Sequence, residues 1–218
     1  MTLSLDTGDS NMSKPNTGPV NFDEAARMAQ TTAGGPRYAP LRLEDVSPEG
    51  QEQVDAIRAA FHIPESRPFP DVSLITLRHP GMFKGQMVLG IELAARGAIP
   101  GRERELMILR LARLAGAPFE WCEHVDIGKA FGITTEEIDR VLQGSAAPGW
   151  SAHESAMLRA VEELIADHCM ADSTWDILAQ TWDEKQMLEV PMLVGAYLMT
   201  ALQQNTLKIQ PKGGFDYR

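Results

Sequence analysis

The chain has 218 residues, 44% of them hydrophobic, with a formal net charge of −10 and a pI near 5.0. That length supports one substantial core or two small ones, and the acidic balance argues against nucleic acid or an anionic membrane surface as partner, since both need a basic footprint. No apolar run approaches the ~18 residues of a spanning helix, and MTLSLDTGDSN lacks the basic and apolar regions of a secretory signal, so a cytoplasmic protein is expected.

Residues 1–36 are rich in Thr, Ser, Asn, Gly and Pro and read as a flexible tail, with one short helix at about 22–30. A single domain is expected over 37–210. Ser47-Pro48 supplies a cap and a first-turn proline for a helix to about Phe61. Pro64, Pro68, Pro70 and Pro80 make 62–80 an extended linker, in which Val72 to Leu77 is the one strand-like run. A helix comes next, from about Gly81 to Arg96, closed by Gly97 and Pro100.

Two further helices, Arg102 to Ala115 and Phe119 to Phe131, are joined by Gly116-Ala117-Pro118. Capping boxes at Thr134/Glu137, Ser151/Glu154 and Asp183/Gln186 start helices to about Leu142, Asp167 and Asn205, and Ser173 starts one to about Trp182. The last helix is apolar nearly all round, which makes it either a central core helix or a subunit contact, and Pro191 should kink it or mark its true first turn. Residues 211–218 form a C-terminal tail. The fold class is all-α, a bundle of about seven or eight helices.

The ionisable groups at 102–131 carry the functional reading. A projection at about 100° per residue puts Glu120, His124, Ile127 and Phe131 on one inward stripe with Trp121 beside it, while Cys122, Glu123, Asp126 and Lys129 face solvent. On the preceding helix Glu105 projects from the apolar side, and Arg102, Arg110 and Arg113 define the polar sector. Glu105, Glu120 and His124 therefore converge where two helices pack. Burying such groups costs several kcal/mol unless they are paired or change protonation, and two carboxylates around an imidazole can divide acid and base roles. The competing account is a structural Glu–His pair. The same trio suits a metal by ligand type, but the spacing requires none; no metal and no cofactor is expected.

Other groups are secondary. Cys122 and Cys169 form no CxxC and no Cys/His cluster, so neither a disulfide nor a thiol nucleophile is expected. Tyr197 either reaches the pocket or forms a polar core pair with Asn205, and Trp121 either lines the pocket or packs helices. His62, His79, His153 and His168 have no carboxylate partner by pattern and read as surface or capping groups.

The run REREL, then EWCEH and VDIGKAFGITTEEIDRVL, resembles the carboxymuconolactone decarboxylase family within the alkylhydroperoxidase D-like superfamily, most densely from Gly101 to Leu142. The resemblance implies an all-helical, alkylhydroperoxidase D-like bundle, assembled as a trimer or hexamer, with the family's glutamate at Glu105 and its histidine at His124. In the peroxidase branch two cysteines sit seven and four residues before that histidine. Here those positions are Ala117 and Glu120, which matches the branch without the CxxC. The implied activity is acid–base chemistry on an unsaturated lactone or related aromatic-degradation intermediate, a decarboxylation, isomerisation or lyase step; the alternatives are a thiol-dependent hydroperoxide reductase using Cys122 and a noncatalytic oligomeric binding protein on the same fold. Glu105, Glu120 and His124 would be catalytic; Trp121, Arg113 and Tyr197 would contact a small-molecule substrate.

Overall fold

The computed structural model describes residues 22–211 and 217. Among them are ten α-helices and no strand: α1 Glu24–Thr32, α2 Pro48–Ala60, α3 Asp71–Thr76, α4 Pro80–Ile91, α5 Gly101–Ala115, α6 Pro118–Ala130, α7 Thr135–Gln143, α8 Ala152–Ala166, α9 Asp172–Leu178 and α10 Glu184–Leu207. No helix among the described residues is long and apolar enough to cross a membrane.

The bundle is arranged around α5. Every residue from Arg104 to Arg113 is buried, because α6, α7, α8 and α10 pack around it and leave no solvent sector. The main core joins Leu106, Leu109 and Leu111 of α5 to Met157, Leu158 and Val161 of α8 and to Val190, Leu193 and Ala201 of α10. A smaller cluster of Val54, Phe69, Leu74, Leu77 and Phe83 holds α2, α3 and α4 together.

Local signals account for most boundaries. Ser47 accepts from Gly50 N with Pro48 in the first turn of α2, and the capping boxes at Thr134, Ser151 and Asp183 all form. α10 runs unbroken through Pro191. Two expectations need correction. The strand-like run at Val72 to Leu77 is largely the helix α3, begun by Pro70 and Asp71 and buried through Leu74 and Ile75, so tertiary packing overrides β-branched propensity. Where a tail was expected, α1 docks on the bundle: Arg27 donates to Ala115 O at 2.8 Å, and Glu24 pairs with Arg113. The remainder of that segment, 1–21, lies outside the described residues, as do 212–216 and 218 of the C-terminal tail.

Between α4 and α5 the chain takes a π-helical turn, Glu92–Arg96, in place of the expected continuous α-helix. The carbonyl of Ala94, within this turn, is turned toward Arg104 of α5.

Candidate active site

α5 and α6 form an antiparallel hairpin. Gly116 ends α5 in the left-handed region, φ 56°, and donates back into the last turn, after which Pro118 opens α6. A Cβ at Gly116 would also come within 2.8 Å of Phe22 and Arg27, so α1 closes on this corner only because the side chain is absent. Further along, a Cβ at Gly128 would meet Ile133 at 3.0 Å and Glu105 Cβ at 3.7 Å. This small residue, one turn beyond His124, lets α6 lie close to Glu105.

The hairpin brings three predicted residues together. His124 Nδ1 lies 2.6 Å from Glu105 Oε2, and its Nε2 lies 3.4 Å from Glu120 Oε1. Exposures are 1% for Glu105, 3% for Glu120 and 8% for His124. Burial opposes the imidazolium, but the hydrogen bonds and charges of Glu105 and Glu120 outweigh it and push the pKa up to about 9. His124 is therefore a cation at neutral pH, with both ring nitrogens carrying protons.

Two further residues complete the network. Arg104, buried beside Glu105, donates from Nε to Glu105 Oε1 at 3.0 Å and from Nη1 to Ala94 O at 3.0 Å, which anchors the carboxylate to the π-helical turn. Gln204 Nε2 donates to Glu120 Oε2 at 2.5 Å. Adjacent residues do not share a helix face, so a wheel gives Arg104 no role beside Glu105. Gln204 had a usable signal, since it lies at i+7 from Tyr197 on one face of α10.

Of the predicted substrate contacts, Tyr197 is placed at the site. Its ring meets His124 edge-on, centroids 5.2 Å apart, and burial with the nearby Glu120 and Glu105 charges pushes its phenol pKa upward. Tyr197 also forms one wall of a cavity of about 140 Å³ between α4 and α10, with Met87, Leu93 and Met199 and the hydrogen-bonded pair Gln86–Thr200. Asn205 is not its partner; it donates to Ala115 O and Gly116 O at the end of α5. Trp121 is buried and packs edge-on against Tyr217, away from Tyr197, beside a separate cavity lined by Cys122 and Asp126.

The expected polar sector of α5 is corrected most. Arg110 and Arg113 are buried, because other helices supply their carboxylates: Glu162 of α8 accepts from Arg110 Nε at 2.8 Å, and Glu24 of α1 pairs with Arg113, which also stacks on Tyr217. Arg113 is thus engaged with α1, and none of the contacts around His124 involves it. On α6 the buried stripe runs through Glu120, His124 and Gly128, whereas Ile127 and Phe131 are exposed and Phe131 lies under Arg104. His153 does have a carboxylate neighbour, Glu103, at 3.6 Å from Nε2. His79 caps α4 by accepting from Met82 N.

No group of three His, Cys, Asp or Glu side chains among the described residues is disposed to hold a metal ion. Cys122 faces away from His124, half-buried, and burial with Glu123 and Asp126 pushes its thiol up to about 11.

Residues 80–163 match the model of the carboxymuconolactone decarboxylase family. The match spans 84 of the 218 residues. The matched segment runs from α4 into α8 and contains Glu105, Glu120 and His124, while Tyr197 and Gln204 reach the site from outside it.

Solved structures agree on the fold. An uncharacterized peroxidase-related protein with an alkylhydroperoxidase AhpD core, from Ralstonia eutropha JMP134, superposes with a TM-score of 0.68 at 14% identity, covering 81% of this chain and 92% of that one. A peroxidase-related protein from Silicibacter sp. TM1040 gives 0.65 at 11% identity, covering 84% and 97%. An AhpD-type protein of unknown function from Agrobacterium tumefaciens gives 0.57 at 19%, covering 63% and 94%. No curated protein matches the sequence.

Proposed function

We propose that this protein is an acid–base enzyme of the carboxymuconolactone decarboxylase type, acting on an unsaturated lactone or related aromatic-degradation intermediate. The observation that carries this reading is His124 held between Glu105 and Glu120 with its pKa pushed up to about 9. Such a group arrives at the reaction already charged and positioned, as a proton donor should. Glu105 fixes the ring through Nδ1, and Arg104 fixes Glu105. Nε2 is left as the donating nitrogen, beside Glu120.

In the decarboxylation, the C–C bond to the carboxylate breaks, its electron pair enters the conjugated system as an extended enolate, and CO₂ departs. His124 Nε2 then gives its proton to carbon and becomes neutral, to be reprotonated from solvent. An isomerisation would use the same groups, with Glu120 removing a proton and His124 returning one. The Tyr197 ring separates His124 from the neighbouring cavity of about 140 Å³, and the largely apolar wall of that cavity is compatible with an unsaturated ring brought up to the imidazole from that side. The active form is a homo-oligomer, as the family resemblance implies.

A thiol-dependent hydroperoxide reductase, the chemistry suggested by the neighbours' names, has less support. A reactive thiol needs a lowered pKa, and Cys122 has the reverse and faces the other side of α6. The test is to incubate the protein with carboxylated muconolactones and related lactones, tracking CO₂ release and loss of conjugated absorbance, with His124→Ala alongside. Turnover lost in the variant supports the reading. Equal behaviour of both proteins with every compound rejects this substrate class and favours a binding role.

A further inference from the structure

α10 presents an apolar stripe that nothing among the described residues covers. Leu188, Met192, Met199 and Leu202 are exposed by 71%, 53%, 44% and 60%. With Gly195 between them, they recur at alternating intervals of four and three, the period of a helix seam that packs on another helix. From Val190 to Leu207 no residue is charged, in a chain whose overall charged content is 23%. A solvated helix face of that length would ordinarily carry charge.

The stripe is also a palindrome. Read outward from Gly195, both directions give Met and then Leu. An isologous two-fold interface requires such self-complementarity, because one patch must meet its own copy. A Cβ built on Gly195 meets no atom within 4 Å, so the helix backbone is open to close approach at the centre of the stripe. The four apolar side chains expose on the order of 450 Å², more than half of the ~800 Å² that each partner contributes to a stable interface. The neighbouring α4 adds exposed Met82 and Val88.

We propose that this face is the two-fold contact between two copies of the chain. α10 packs antiparallel on α10 with Gly195 at the crossing, Leu188 meeting Leu202 of the partner subunit and Met192 meeting Met199 of the partner subunit. An anionic bilayer surface does not suit the face, since the protein carries a net charge of −10. Met199 and Tyr197 both line the cavity between α4 and α10, so the pairing also covers ground next to His124. The pairing stands on surface geometry and does not depend on the acid–base reading.

Gly195→Leu is a clean test, because the added side chain has open space within its own chain and improves helix propensity. Sedimentation equilibrium of the full chain should show an even-numbered assembly, and Gly195→Leu should weaken association at least tenfold while keeping or raising the thermal midpoint of the isolated subunit. In a Cys122→Ser, Cys169→Ser background, Leu188→Cys and Leu202→Cys proteins should cross-link when mixed under mild oxidation, and neither should do so alone. A monomeric or trimeric wild type, unchanged association in Gly195→Leu, or cross-linking of Leu188→Cys with itself would overturn the proposal. Each outcome is read without substrate, so it is separable from failure of the turnover assay.

Discussion

His124 and Glu105 belong to different helices, and the 2.6 Å between Nδ1 and Oε2 is the contact through which α5 fixes the imidazole of α6. Everything unusual about the site stems from it. A buried histidine alone would be neutral; this one is not, because its partner is a carboxylate that Arg104 already holds in place.

That contact sets a pH dependence. The folded pKa of His124 is about 9 against 6.5 for the free group, so the folded state binds this proton more tightly. Its contribution to stability is whole below about pH 6.5 and is lost as the pH rises through 9. At about 1.4 kcal/mol per pKa unit, this is on the order of 3 kcal/mol. Urea unfolding between pH 6 and 10 should show wild type losing that much more than His124→Asn. Parallel curves would mean that the proton is not held. Under the acid–base reading, turnover falls over the same limb.

Glu105→Gln keeps the shape and removes the charge. Arg104 is then left buried beside a neutral amide, a situation that costs about 3–5 kcal/mol for a broken buried pair. The expected result is a large drop in urea midpoint together with a His124 pKa well below 9 by NMR titration. A variant as stable as wild type, with an unmoved histidine, would show that Glu105 is not the determining partner.

The deeper ion pair is structural. Glu162 accepts from Arg110 Nε at 2.8 Å, from Ser145 N at 2.9 Å and from Ser145 Oγ at 2.5 Å, and Gly144, at φ 97°, passes so close that a Cβ would strike Arg110. Glu162→Gln should lose about 3–5 kcal/mol, whereas Arg110→Met with Glu162→Leu should recover much of that loss by removing both charges. Equilibrium unfolding of the single and double variants decides, and a double variant no better than Glu162→Gln would contradict the account.

Cys122 should be a slow thiol. With its pKa near 11 rather than 9, it holds about a hundredfold less thiolate at pH 8 than an ordinary cysteine, while Cys169 is exposed and serves as an internal reference. Mass spectrometry during iodoacetamide labelling should show Cys169 modified first by a wide margin. Cys122 labelling at the same rate would reopen the thiol mechanism.

The sequence carried the site's three central residues, because a carboxylate and an imidazole at i, i+4 on an apolar stripe are hard to place anywhere but against another helix. It misread the continuation of that stripe. Ile127 and Phe131 sit where α6 is ending and turn outward, and Gly128, with no side chain to mark it, holds the buried line. Arg110 and Arg113 read as solvent-facing because a wheel describes one helix, and the carboxylates that bury them arrive from α8 and α1. Arg104 was illegible for a different reason: its link to Glu105 arises from a long side chain folding back to its neighbour, which periodicity does not encode. The Val72 to Leu77 run shows the same limit, since six residues are too few for a period to separate strand from helix.

The π-helical turn at Glu92–Arg96 constrains this protein by length more than by residue type. Glu92, Ala94, Ala95 and Arg96 are all exposed, so their side chains are open to exchange, yet the carbonyl of Ala94 must stay where Arg104 can reach it. Removing one residue there would convert the turn to ordinary helix and rotate the rest of the segment by about 100°. Drift in amino-acid identity should pass unnoticed in this stretch, and a single codon gained or lost should reach the imidazole three links away.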